Sequence, residues 1–174
     1  MKNRDELIAG IVDNLRRIFQ AVNTHSRRAK REAGLTGPQL WAIRMIAQSG
    51  PIKVSELSRK MYLHPATVVG ILDRLERVEL VKRVRSQKDR RLVYVNLTEK
   101  GQNIVRESPE VAQGLLVSGL ETLPMQNLNK ISKGIGEMVR MLRIEEHPTK
   151  LLLSPEVNIT GRKRNKKIGR IGGK

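Results

Sequence analysis

A chain of 174 residues, 39% hydrophobic and 29% charged, is long enough for one domain with its own core plus an appendage. Its 34 Lys and Arg against 17 Asp and Glu leave a net charge of +17, which favours polyanionic partners, nucleic acid before anionic membrane. The absence of cysteine excludes disulfides, thiolate nucleophiles, thiol redox switches and Cys-based zinc sites, and four aromatic residues (Phe19, Trp41, Tyr62, Tyr94) suit stacked single strands poorly, leaving duplex.

The first six residues lead into an amphipathic pattern rather than a leader peptide. No run approaches the roughly 20 apolar residues of a membrane helix, so a cytoplasmic protein with no membrane partner is expected. Over 7–22, Leu7, Ile8, Ile11, Leu15, Ile18, Phe19 and Val22 recur at helical spacing, which predicts a long amphipathic helix. The basic stretch Arg27, Arg28, Lys30, Arg31 follows, and Gly34 ends or interrupts it. Thr36-Gly37-Pro38-Gln39 reads as a capping box, opening a second helix that runs to about residue 48 and stops at Gly50-Pro51. A short third helix turns Val54, Leu57 and Met61 inward. His64-Pro65 starts a fourth over 65–77, because proline suits the first helical position, where its missing N–H would have had no partner. Val68, Ile71, Leu72 and Leu75 share one face of this helix, leaving Ala66, Thr67, Val69, Gly70, Asp73 and Arg77 largely outside.

Residues 81–85 and 91–97 read as two strands joined by the polar turn Ser86-Gln87-Lys88-Asp89-Arg90, a hairpin with cations at its tip. Thr98 caps a further helix that Pro109 kinks or breaks, and Thr122 with Pro124 opens a last one carrying Leu128, Ile131, Ile135, Met138, Val139 and Leu142. From 154 to 174 there are seven Lys or Arg against Glu156 alone, a basic tail too poor in apolar side chains to fold by itself and expected to be disordered. The fold class is therefore mainly α with a small β-hairpin wing (α+β).

The informative unit is 54–98: two short helices joined by a tight turn, the second opening with small residues, then a cationic hairpin. A helix with an uncluttered first turn can enter a major groove about 12 Å wide with its first residues at base edges. A tip bearing Lys88, Arg90 and Arg91 can reach the neighbouring minor groove, where narrow A·T-rich segments favour arginine. His64 reads as a helix-start residue or a phosphate contact.

At these residues the sequence resembles the MarR family of winged helix-turn-helix transcription regulators. The resemblance lies in Val54-Ser55-Glu56-Leu57, in Ala66-Thr67-Val68-Val69-Gly70-Ile71-Leu72-Asp73-Arg74-Leu75-Glu76, and above all in Asp89-Arg90-Arg91 running on to Leu97-Thr98-Glu99-Lys100-Gly101. It covers about 5–145 and implies a homodimer, with 36–98 as the DNA-reading part and 5–33 and 99–145 as dimerisation helices. It also implies groove contacts by Pro65, Ala66, Thr67 and Gly70, a phosphate contact or structural pairing at Arg74, a minor-groove contact by Arg90 or Arg91, and Asp89 as a brace for the wing arginines. Two residues depart from the family pattern. Gly70 stands where many relatives have a larger, often basic side chain, and Glu79 where glycine commonly ends the helix, which suggests a different termination geometry.

The expected function is thus a sequence-specific regulator of transcription, most simply a repressor, on a pseudo-palindromic duplex. Rivals are an architectural DNA-binding protein of low specificity, which the small outer face of the fourth helix permits, and a protein-interaction module that reuses the fold. Trp41 beside Leu40, Ile43 and Ile46 reads as core, with a pocket wall as the alternative. His25, Met45 and Tyr62 are candidates for a cavity that the resemblance places between dimer base and reading head, where a small-molecule effector would bind. His25, His64 and His147 lack metal-ligand spacing, and no triad order, paired carboxylates or Gly-rich phosphate loop is present. No enzyme, metal or cofactor is expected.

Overall fold

The computed structural model describes residues 3–86, 89 and 92–146. Lys88, Arg90, Arg91 and the basic tail lie outside them. α1 (Arg4–Ala33) begins at a capping box in which Glu6 N–H donates to Asn3 Oδ1 at 2.8 Å and Asn3 N–H donates to Glu6 Oε2 at 3.2 Å. It runs well beyond 22 because no breaker intervenes and Arg28 pairs with Glu32 one turn on (3.0 Å). Gly34, at φ +68°, then closes it in the left-handed region. Only Ser26 and Ala29 of α1 are buried.

α2 (Gly37–Ser49) opens with the Gln39 carboxamide oxygen accepting from Thr36 N–H at 2.9 Å. It forms the centre of the domain: Leu40, Ala42, Ile43 and Ile46 are buried, and α1, α3, α4, α5, α6 and β3 pack around it. α3 (Val54–Lys60) and α4 (Pro65–Arg77) contribute Leu57, Val68, Ile71, Leu72 and Leu75 to the same core, joined by Met61 from the turn between them. Each such side chain contributes about 1.5–3 kcal/mol on burial. α4 thereby presents to the core the face that its periodicity predicts.

β2 (Val81–Arg85) and β3 (Val93–Leu97) form the antiparallel hairpin, in a register pairing Arg83 with Val95 and Arg85 with Val93. A third strand joins it: β1 (Ile52–Lys53) pairs with β3 through Ile52↔Val95 and Lys53↔Tyr94, giving the order β1-β3-β2. Two residues are too short for any alternation to be read, so the sequence alone shows only the hairpin. Lys53 also places its ammonium 5.8 Å from the centroid of the Tyr94 ring, within cation–π range.

Behind the hairpin, α5 (Glu99–Glu107) ends before Pro109, α6 (Ala112–Glu121) follows, and α7 (Met125–Met141) starts after Pro124. Pro109 thus produces a full break. No residue of α6 or α7 is buried.

The Thr98-Glu99-Lys100-Gly101 segment acquires a physical reason. The carbonyls of Val78, Glu79 and Leu80, at the end of α4, receive the Lys100 ammonium (3.0 Å), the Thr98 hydroxyl (2.6 Å) and the Thr98 N–H (3.1 Å) respectively. Gly101 permits this approach, since a Cβ there would lie 2.1 Å from the Leu80 carbonyl oxygen. Thr98 Oγ1 also accepts from Gly101 N–H at 3.1 Å, so one side chain caps α5 and closes α4.

The suggestion that Glu79 changes how α4 terminates is corrected. Glu79 N–H donates to Glu76 O (3.0 Å) and Leu80 N–H to Leu75 O (2.9 Å), a Schellman pattern with Glu79 at φ +60°. The glycine conformation is kept without the glycine, stabilised by the buried Leu75 and Leu80 side chains and by the capping from Thr98 and Lys100.

Candidate nucleic-acid interface

The outer side of α4 is built from small groups. Ala66 is exposed, Thr67 and Gly70 are half-buried, and Asp73 and Arg77 are exposed further along the helix. His64 is the N-cap: its Nδ1 accepts from Ala66 N–H at 3.3 Å, so the ring orders the helix start, and Pro65 occupies the first turn. Arg74 is half-buried, with Nη1 shielded from solvent and lacking a hydrogen-bond partner among the described residues. Pro65, Ala66, Thr67, Gly70 and Arg74 thus lie on one continuous helix, beside the root of the hairpin. Of the hairpin tip, Asp89 is exposed and its N–H donates to Ser86 Oγ at 3.3 Å.

One feature of this surface is invisible in the sequence. Arg83, on β2, reaches back to α4: Nη2 lies 2.7 Å from Asp73 Oδ1 and 3.4 Å from the Val69 carbonyl, while Nη1 lies 2.8 Å from Glu76 Oε2. The Arg83 N–H donates to the other Glu76 oxygen at 3.1 Å. The only hint is a basic residue on the first wing strand with two carboxylates on the preceding helix. Pairing them requires knowing how helix and strand pack.

A cleft of about 380 Å³ opens between α2, α3 and α6, bordered by Trp41, Arg44, Met45, Lys60, Leu115 and Glu121 among others. Trp41 is both core and wall: it is buried, and it packs on Gly114, where a Cβ would sit 3.4 Å from the ring. Of the three cavity candidates, Met45 borders the cleft. Tyr62 is exposed and sends its hydroxyl to Glu121 Oε1 at 3.0 Å, linking the end of α3 to α6 across the rim; this bond and the nearby carboxylate raise the phenol pKa above its ordinary value. His25 does not line the cleft itself, but its Nδ1 lies 3.1 Å from the carbonyl of Glu110, which does. Arg44 holds the Ser108 carbonyl, fixing the break between α5 and α6 to α2.

Residues 35–93 match the model of the MarR family. Over 102 residues the chain is 33% identical to the helix-turn-helix transcriptional regulator YsmB of Bacillus subtilis, covering 59% of this chain and 70% of that protein. The chain belongs to the MarR family. MarR proteins are DNA-binding transcription regulators, not enzymes. The transcriptional repressor MdtR of Bacillus subtilis is likewise 33% identical, over 58% of this chain, and the aligned part spans 65% of MdtR. Among solved structures, a MarR family protein from Bacillus stearothermophilus superposes with a TM-score of 0.50 and 28% identity, covering 82% of this chain and 99% of that one. Its likeness extends beyond residues 35–93 into the flanking helices. Among the described residues, no helix is long and apolar enough to cross a membrane.

Proposed function

We propose that this MarR protein is a cytoplasmic, sequence-specific regulator that binds double-stranded DNA as a homodimer and represses transcription from a pseudo-palindromic operator. The observation that carries the reading is α4, whose apolar face is locked in the core while its small-residue first turn stands open beside the wing. His64, Pro65, Ala66, Thr67, Gly70 and Arg74 are assigned to the major groove and its phosphates. Lys88, Arg90 and Arg91 are assigned to the flanking minor groove, with Asp89 bracing the arginines. The net charge of +17 supports a phosphate-rich partner, and the repressor role is supported by the similarity to MdtR.

Residues 36–98 serve as the reading head, and 5–33 with 99–145 as the dimer base. Supporting this division, α1 exposes Leu7, Ile8, Ile11, Ile18 and Phe19, and α6 and α7 expose Leu116, Ile131 and Ile135, large apolar side chains that a second copy would cover. A small-molecule effector is assigned to the cleft under Trp41, whose volume suits such a ligand. Shifting α6 against the head would change the spacing of the two α4 helices and release DNA.

The test is genome-fragment selection with the purified protein at about 0.15 M salt, where loose electrostatic association is screened. Recovery of a few fragments sharing a two-fold sequence is expected. Uniform recovery would sink the operator reading and favour an architectural protein, the alternative that the small face at Gly70 permits.

A further inference from the structure

We propose that Arg83 is a positioning residue for DNA reading: it makes no phosphate contact itself, but fixes the recognition helix to the root of the wing and partly offsets the acidic edge of that helix. The inference rests on the DNA-reading role of α4 proposed above. Val69, Asp73 and Glu76 lie at i, i+4 and i+7, a single stripe flanking the outer face that carries Ala66, Gly70 and Arg77. Arg83 meets all three, at 2.7 Å to Asp73, 2.8 Å to Glu76 and 3.4 Å to the Val69 carbonyl. Both terminal nitrogens are therefore engaged, and the side chain is only 25% exposed. The pair with Glu76 is reinforced through the Arg83 backbone, so the carboxylate grips strand and side chain together.

Two consequences follow from the geometry. Asp73 and Glu76 would repel phosphate if left unpaired beside a groove, and the guanidinium offsets them where a mobile surface lysine would not, since only its planar fork meets two carboxylates at once. A recognition helix and a wing that read adjacent grooves must also hold a fixed separation. Arg83 is the charged cross-link between them among the described residues.

The experiment compares the full chain with Arg83→Met, Arg83→Lys, the pair Asp73→Asn with Glu76→Gln, and that pair combined with Arg83→Met. Two duplexes are used, a fragment enriched in the genome selection and a random-sequence duplex of equal length, each titrated over a range of salt. Arg83→Met is expected to lower the affinity ratio between the two duplexes about tenfold, the loss on the enriched fragment far exceeding any loss on random duplex. Arg83→Lys should resemble Arg83→Met rather than the parent. In the carboxamide background, the added Arg83→Met should change the ratio less than about twofold, because the partners are already gone. A salt slope reduced by about one charge with the ratio intact would identify Arg83 as a phosphate contact and overturn the proposal. Equal losses in both backgrounds would overturn it as well. If the selection yields no preferred fragment, the operator reading has failed on its own. The brace is then judged by amide hydrogen exchange in α4, which Arg83→Met should accelerate in the parent and not in the carboxamide background; no acceleration in the parent would refute it.

Discussion

Glu79 at φ +60°, Tyr62 at φ +50° and Arg143 at φ +54° each hold the left-handed position that follows a helix. In each case the next residue's N–H reaches back five residues, from Leu80 to Leu75, Leu63 to Ser58 and Ile144 to Val139. A side chain in this region costs about 1–2 kcal/mol, which the capping hydrogen bonds offset. Glu79→Gly should therefore raise stability by up to about 1 kcal/mol in denaturant melts, the relief of strain being partly cancelled by the freer unfolded chain. Gly101→Ala should do the opposite. Its methyl would meet the Leu80 carbonyl at 2.1 Å, a backbone atom held by Thr98, and a loss of about 2 kcal/mol or more is expected in the same melts. Both positions stand out in the sequence, Gly101 through the wing-to-helix motif and Glu79 as a departure from it. The conformation at Glu79 was not legible there, because glutamate carries no left-handed preference and only the surrounding hydrogen bonds impose one.

At the scale of elements, α4 was readable almost to the residue. A proline start, four apolar residues on one face and a small outer face all concur, and tertiary packing overrides none of them. β1 was not readable, since two residues become a strand only by pairing with β3. The C-terminal end of α1 is marked in the sequence by Gly34, up to which the helix continues on ion pairs after the apolar rhythm fades. The wing carries its own expectation: Arg90→Ala with Arg91→Ala should weaken operator binding about tenfold or more while sedimentation still reports the parent oligomer. Undiminished binding would remove the wing from the mechanism. Similarly, if the proposed dimer forms through α1, Ile11→Asp with Phe19→Asp should leave the chain sedimenting as a monomer where the parent sediments as a dimer. Phe19 is 58% exposed and Ile11 48%, so both aspartates would be solvated in the isolated chain and buried unpaired only in the dimer. An intact dimer would exclude this face from the interface.

For the whole molecule, the excess of 34 basic over 17 acidic residues bears on affinity more than on fold. Residues 154–174 add seven cations and one carboxylate, so deleting them should lower the affinity for random duplex and flatten its salt dependence while leaving base preference intact. Binding unchanged at low and high salt would show that the tail takes no part.

The chain's order of helices, the core face of α4 and the excess of positive charge follow from sequence alone, because periodicity, capping and net charge are local or additive properties. The union of Arg83 with Asp73 and Glu76, the capture of the carbonyls just past α4 by Thr98 and Lys100, and the cleft under Trp41 were decided only by tertiary structure. Each depends on which faces of separate elements meet, and that is set by packing around α2 rather than by any neighbour in the chain.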